Sequence, residues 1–406
     1  MNDFFEDITQ EKREHTKTLP SNAYTNPEIF ERERYTLFKY VPTLATPECL
    51  ILKEGNYEIT EIASESMIIL RGKNEEISAL ANICRHRGKK LIKPDASKNI
   101  KKKLKSIVCP YHAWKYDLDG QLVVARGDQS RATYRNLCLR KLHIQNVAGL
   151  VFYHGNAKPL PQIDNLEVVL GSLNLRDAKV AERIKYPVKA NWKIFTENFL
   201  ECWHCATSHP ELSEVKSFIQ QFENGKEHEF LSDDVKWRTK ARKKGWVPPQ
   251  DIDFQTDEHL FHFNTSTPLG GGKATANKSG ERMGEPLGKA AGLEGGAIFG
   301  SMGPFLFYLA YVDYVILFCI RPKSVSETVL EVFWLTSPSF ETPIEDLTWL
   351  WNTTIQQDIA LVEETYEGVT SMYYTPGPFQ ADEYRAKAFV NWWMDWESKT
   401  DKNNTN

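Results

Sequence analysis

The sequence predicts an α+β protein: a small antiparallel β domain, then a larger region in which strands share the chain with long helices. Three observations carry this. Between about Thr36 and Gly155 the runs "SMIILRG", "EISALANIC", "LKSIVC" and "AWKYDLDGQLVVA" are β-rich and bounded by Gly, Asn or Asp. From about Lys179 onward "TVLEVFWLT" reads as a strand, whereas "IEDLTWLWNTTIQQDIALVEETYEG" and "ADEYRAKAFVNWWMDW" read as helices. The chain has 406 residues, 41% hydrophobic and 26% charged, enough for two or three domains with cores of their own.

Residues 1–36 read as a polar arm with a helix at "NPEIFERERYTLF", where Asn26 can cap and Pro27 can take the first turn. Asp117, Leu118 and Asp119, followed by Gly120, mark a tight hairpin. "FLFYLAYVDYVILFCI" is interrupted by Asp313 and reads as two buried strands rather than a membrane span. Ser266 to Gly300 is rich in Gly, Lys and Ala and reads as a long loop over the surface or at an active-site entrance. The basic run from Lys98 to Ser106 reads as a solvated loop tip. A net charge of −4 offers no global basic surface for nucleic acid or anionic lipid. The charged N-terminus lacks the apolar region of a signal peptide, so the expected location is cytoplasmic, with no membrane partner. Seven cysteines in a reducing compartment read as ligands or buried thiols rather than a disulfide framework.

Two constellations carry chemistry. In the β domain, Cys84 and His86 form one pair, and Cys109 and His112 another, with twenty-two residues between His86 and Cys109. Each pair ends a strand-like run, so two hairpin loops can present four ligands at one end of a sheet. Tetrahedral zinc and a [2Fe–2S] cluster with two Cys on one iron and two His on the other both fit that donor set. Zinc fingers usually pair Cys with Cys and His with His. The alternation seen here suits one all-sulfur and one all-nitrogen iron.

The second constellation is "ENFLECWHCATSHPEL", Glu197 to Leu212. Glu197, Glu201 and His204 are spaced i, i+4, i+7, as on one helical face. His209 follows His204 by five positions, and "SHP" suggests a break after which Pro210 opens a new helix. Two His and one carboxylate with open positions make the facial triad of non-haem iron(II) oxygenases. A zinc alternative would use Cys202, Cys205 and His209, but these cysteines sit among aromatics without a fourth ligand and read as buried, inert thiols. The third ligand is sought elsewhere. Trp351, Ile355, Asp358, Val362 and Tyr366 form one stripe in which Asp358 is the sole acid. A lone carboxylate there is costly unless bonded or metal-bound, so Asp358 is either the missing ligand or a buried Asp paired with an Arg or a backbone amide.

"CRHRG" followed by "CPYHAWKYDLDG" resembles the Rieske motif of the ring-hydroxylating oxygenase α-subunit family, including Arg87, Gly88, Pro110, Tyr111, Trp114 and Tyr116. The gap between the pairs is longer than usual in that family, the excess lying in the lysine-rich run. E-x3-E-x2-H-x4-H resembles the family's mononuclear-iron motif. The resemblance implies a Rieske [2Fe–2S] domain at 37–155, a helix-grip catalytic domain at 156–406 (an antiparallel sheet wrapped on a long helix), and an N-terminal arm packing on the latter. It implies Cys84, His86, Cys109 and His112 as cluster ligands and His204, His209 and Asp358 as ligands of a mononuclear Fe(II). It makes Glu201, where Asp is usual, the electron-transfer bridge to a Rieske histidine of a neighbouring subunit in a homotrimer. O2 would be the oxidant, and electrons would come from NAD(P)H through a separate flavin/iron–sulfur reductase. Glu201 and the ending "EGVTSMYYTPGPFQADEYRAKAFVNWW" look like the branch that N-demethylates betaine-like quaternary ammonium compounds. Trp203, Tyr373 and Tyr374 are candidates for an aromatic cage around such a cation. Hydroxylation of an aromatic ring or acid, and a non-catalytic iron–sulfur carrier, are the alternatives.

Overall fold

The computed structural model describes residues 16–62, 65–93, 103–125, 137–156, 158–216, 225, 227–256 and 260–404. The chain divides into two compact units, Pro42–Val180 and the remainder, Met1–Val41 with Ala181–Asn406. The later break thus lies at Val180/Ala181 rather than at 155/156. The short helix Asn165–Leu170 and the 3₁₀ turns around it bury Leu166, Val169 and Leu173 and bond back to the β unit, where Glu167 accepts from the Ala148 N–H at 3.0 Å.

The unit Pro42–Val180 is built from three small sheets. One orders Tyr57–Ile62, Glu65–Arg71, Ile77–Ala81 and Lys141–Leu142; a second orders Ile107–Val108, Lys115–Tyr116 and Leu122–Val124. The third orders Thr43–Pro47, Leu150–Tyr153 and Ile144–Val147. Every pairing is antiparallel. The Asp117–Gly120 hairpin forms as its sequence demands. Asp117 Oδ1 accepts from the N–H groups of Asp119 (3.0 Å) and Gln121 (2.8 Å), while Gly120 takes φ +81°, which a side chain would resist. Ile68, Leu80, Ile107, Trp114 and Tyr116 pack into one core with the thiols of Cys84 and Cys109. Of the basic run, residues 98–102 lie outside the described residues; Lys103 bridges to Asn56.

The other unit is a seven-stranded sheet ordered Lys179–Val188, Glu327–Thr336, Tyr314–Ser324, Leu306–Ala310, Gly296–Met302, Phe261–Pro268, Ile252–Thr256. The apolar run Phe305–Ile320 folds as two buried strands joined at Asp313, as expected. The long helix Ile344–Val369 lies on the sheet, with Trp351 edge-on to Phe318 (5.6 Å) and Asn352 accepting from Tyr186 OH (2.8 Å). The arm helix Pro27–Tyr40 is capped by Asn26, whose side chain accepts from the Glu28 N–H. Its buried Glu33 accepts from Lys193 Nζ (2.6 Å), Trp192 Nε1 (2.9 Å) and Trp393 Nε1 (2.8 Å). That ties the arm to the helices Trp192–Phe199 and Tyr384–Asn404, a buried charge kept tolerable by three donors. Residues 1–15 of the arm lie outside the described residues.

The segment after Pro268 is a long irregular connection, as expected, but one anchored to the core. Leu269, Thr275, Ala276, Leu287, Ala290 and Leu293 are buried in it. Buried Asp313 pins it, accepting from Thr275 Oγ1 and the Met283 N–H, both at 2.6 Å.

Candidate active site

The ligand-bearing stretch is three short helices and a turn, not one helix. Asn191 caps the helix Trp192–Phe199, which stops at Leu200. Glu201 and His204 follow in a turn, then a single helical turn Cys205–Ser208, then the helix Pro210–Val215 with Pro at its first position. The shared helical face expected for Glu197, Glu201 and His204 is therefore not what joins them. The Glu201 carboxylate closes the turn instead, accepting from the Trp203 N–H and from the His204 N–H at 3.4 Å while also bonding His204 Nδ1. Glu197 turns the other way and accepts from Tyr24 OH at 2.9 Å.

Cys202 and Cys205 are joined by a disulfide, against the expectation of free buried thiols. The turn between them brings their Cα atoms to 4.9 Å, within bridging reach, and Cys202 is exposed rather than buried. Cys205 Sγ lies with His204 and His209 in a group whose donor atoms fall within 4.8 Å of one another. A disulfide sulfur is no thiolate, however, so the third donor is sought at Asp358.

The structure brings Asp358 to the two histidines across 149 residues of chain. Its Oδ1 lies 3.1 Å from His209 Nε2 and 3.4 Å from His204 Nε2, and accepts from Asn198 Nδ2 at 2.8 Å. The Arg or backbone-amide pairing that could have explained a buried Asp is not among these bonds. Burial pushes the Asp358 carboxyl up, but the bonds to His204 and His209 outweigh it and hold it below the usual range. Burial likewise presses His204 down, while Asp358 and Glu201 raise it to about 9.

The opposite edges of both rings are already committed. His204 Nδ1 faces Glu201 Oε1, and His209 Nδ1 faces Gln357 Oε1 at 2.8 Å. Both partners are acceptors, so each Nδ1 carries a hydrogen, and without a second proton each Nε2 would turn its lone pair toward a carboxylate oxygen. Two such acceptors at 3.1 Å need a positive centre between them, a proton or a metal ion. Two imidazoles and a carboxylate around that point fit iron(II) with open positions. Asn198 and Gln357 were missed in the sequence. The available signal was only a polar residue beside each ligand element.

In the β unit the thiols of Cys84 and Cys109 are 2% exposed, whereas His86 is exposed and His112 half-buried. The imidazole rings stand 4.7 Å apart, and Trp114 stacks flat on His86. Tyr116 OH lies 3.3 Å from Cys84 Sγ and accepts from the Arg85 N–H. Two buried sulfurs backed by a hydroxyl, with two outward imidazoles, fit a cluster with one sulfur-ligated and one nitrogen-ligated iron.

The cage candidates are not assembled. Trp203 is 59% and Tyr373 86% exposed, and Tyr374 OH is spent on Thr18 Oγ1 and the Leu19 carbonyl, both at 2.9 Å. Trp203 was suggested by its place beside His204, and Tyr373 and Tyr374 by following the Asp358 helix; among the described residues that neighbourhood in sequence does not enclose a common space.

Comparison with known proteins bears on both sites. Residues 175–399 match the model of the ring hydroxylating alpha subunit (catalytic domain), and residues 47–135 that of the Rieske [2Fe-2S] domain. The glycine betaine monooxygenase oxygenase subunit of Pseudomonas aeruginosa is 27% identical over 395 residues, covering 94% of this chain and 90% of its own. The carnitine monooxygenase oxygenase subunit of Escherichia coli is 31% identical over 205 residues, 48% of this chain and 53% of its own. Among solved structures, a quaternary ammonium Rieske monooxygenase with L-carnitine superposes with TM-score 0.68 at 20% identity, covering 94% of this chain and 95% of that one. A naphthalene 1,2-dioxygenase with indole gives 0.71 at 16%, covering 96% and 94%. The chain belongs to the ring-hydroxylating α-subunit family, an oxygenase component with a Rieske [2Fe–2S] domain and a non-haem iron catalytic domain, dependent on a reductase for electrons.

Proposed function

We propose that this chain hydroxylates an N-methyl group of a small betaine-like quaternary ammonium compound at an iron held by His204, His209 and Asp358. The convergence of Asp358 Oδ1 on both imidazole Nε2 atoms carries the iron assignment. The substrate class rests on the glycine betaine relatives, which align along nearly the whole chain, and on glutamate at position 201. Bound iron supplies the site of O2 activation. One oxygen atom enters a C–H bond of the N–CH3 group, two electrons and two protons convert the other to water, and C–N cleavage of the resulting N–CH2OH cation releases formaldehyde, the tertiary amine and the hydroxyl proton.

The chain's own residues have distinct tasks in this reading. Cys84, Cys109, His86 and His112 hold the cluster. Glu201, bonded to His204 Nδ1, is the bridge over which an electron arrives from a Rieske histidine of a neighbouring subunit in a homotrimer. The supply of NAD(P)H-derived electrons through a flavin/iron–sulfur reductase goes with a cytoplasmic location. No helix among the described residues is long and apolar enough to cross a membrane. A carrier without oxygenase activity would not need the catalytic domain that residues 175–399 match.

The test is reductase-coupled O2 consumption across betaines, choline, carnitine and aromatic acids, with formaldehyde detection. Formaldehyde equimolar with a consumed betaine is expected; turnover of aromatic acids alone would overturn the substrate class. Asp358→Ala should keep the Rieske spectrum, fall from about three irons per chain to two, and lose turnover. Persisting turnover would refute the triad.

A further inference from the structure

The two imidazoles are backed differently, and the difference involves residues outside the triad. His204 Nδ1 is held by a carboxylate, Glu201. His209 Nδ1 is held by a neutral amide, Gln357 Oε1 at 2.8 Å, and Gln357 Nε2 in turn donates to Glu211 Oε2 at 2.9 Å. An amide offers a donor at one end and an acceptor at the other, so by itself it could face His209 with either. An ionised carboxylate accepts only. With Glu211 at one end, the Gln357 NH2 must turn to it, and the carbonyl must turn to His209. A carbonyl at Nδ1 demands the hydrogen there, which leaves the Nε2 lone pair toward Asp358 Oδ1 at 3.1 Å.

The chain arranges this economically. Gln357 precedes Asp358 on the long helix, and Glu211 follows His209 by two residues in the first turn of Pro210–Val215. One helix thus supplies one donor to the iron point and the aligner of another. Pro210 and the Ser213 N–H bond to the His209 carbonyl (2.9 Å) fix the backbone between His209 and Glu211. His209, 1% exposed, has both ring nitrogens committed within the protein.

We propose that Gln357 and Glu211 are positioning residues of the mononuclear iron site, a carboxylate–amide relay that sets the ring orientation and tautomer of His209. The inference rests on the reading of His209 as a ligand. Loss of such outer partners typically costs about ten- to hundredfold in metal affinity.

The test uses the full-length protein with its Rieske cluster intact and oxidised, its mononuclear site stripped by chelator, and Co(II) alone as probe. Affinity is read by calorimetry and ligand geometry by the EPR of the high-spin Co(II). Gln357→Leu should weaken Co(II) about ten- to hundredfold and alter its EPR, with the Rieske spectrum unchanged. The double variant Glu211→Gln, Gln357→Glu reverses the relay: the amide, moved to position 211, donates to the carboxylate, moved to position 357, which still accepts from His209. It should recover affinity to within a few-fold of wild type. The double variant also decides the matter should Gln357→Leu fail to fold, since a double variant as weak as His209→Ala would overturn the relay. Gln357→Leu binding within about twofold of wild type with unaltered EPR would overturn it too. His209→Ala separates the two readings: if it binds Co(II) as wild type does, the ligand assignment itself fails, whereas its loss beside an unaffected Gln357→Leu removes the relay alone.

Discussion

Glu201 has two jobs that a single substitution separates. One carboxylate oxygen closes the Leu200–His204 turn by accepting from backbone N–H groups, and the other holds His204 Nδ1. An amide at position 201 keeps only one acceptor for the two jobs, so Glu201→Gln should leave both metals bound while slowing electron arrival about tenfold or more. Stopped-flow reoxidation of the Rieske band in a single turnover measures this, and an unchanged rate would refute the bridge. Glu197, one helical turn earlier, is an acid of another kind. Burial pushes it up to about 8, against the opposing bond from Tyr24 and the charge of Lys193. Unfolded, a glutamate titrates near about 4.3. Between roughly pH 4.5 and 8 the folded chain therefore binds a proton that the unfolded chain has released, and stability falls as pH rises through that window. Glu197→Gln should flatten the fall, seen as a smaller difference in Tm between about pH 5 and pH 8. At this scale the sequence showed which residue types matter but not their partners. Asp358 was legible because an acid on an apolar stripe must be bonded to something. Gln357 and Asn198 were not, since a hydrogen bond to a ligand leaves no periodicity.

Periodicity made most elements legible: the arm helix with its Asn26 cap, the paired strands on either side of Asp313, and the long helix Ile344–Val369. It failed where local side chains end an element. The i, i+4, i+7 spacing of Glu197, Glu201 and His204 imitates a helical face, but Glu201 bonds the backbone ahead of it and ends the helix at Phe199. The Gly-rich segment 269–295 is the long irregular connection its composition announces, but composition did not show its anchor: the Asp313 side chain, distant in sequence, organises it through Thr275 and Met283. Removing that acceptor strands a buried hydroxyl and a backbone N–H at a cost of roughly 2–4 kcal/mol. Asp313→Asn keeps one acceptor and should cost less. In limited proteolysis Asp313→Ala should be cut within 269–295 well before wild type, while far-UV circular dichroism of the sheet is retained. Equal cleavage rates would show that the buried apolar residues of the segment hold it unaided.

At the scale of the molecule, the two units and their chemistries were legible because each has its own ligand pattern, while the division at Val180 was not, since residues 156–180 carry no strong signal of their own. The proposed homotrimer adds a requirement that neither unit shows alone: an electron leaves the cluster of one chain and reaches the iron of the next. Two inactive variants make the requirement measurable. Asp358→Ala retains a cluster but no iron; Cys84→Ser retains the iron ligands but no cluster. Each should be inactive alone. Dissociated and reassembled at equal amounts, a ring of three places an Asp358→Ala chain as donor before a Cys84→Ser acceptor at about one junction in four. Turnover per chain should therefore recover to about a quarter of wild type, carried wholly by the Cys84→Ser iron. If electrons instead stay within one chain, no mixture of the two variants can turn over. Mixing without reassembly, which leaves homotrimers intact, is the control and should stay inactive.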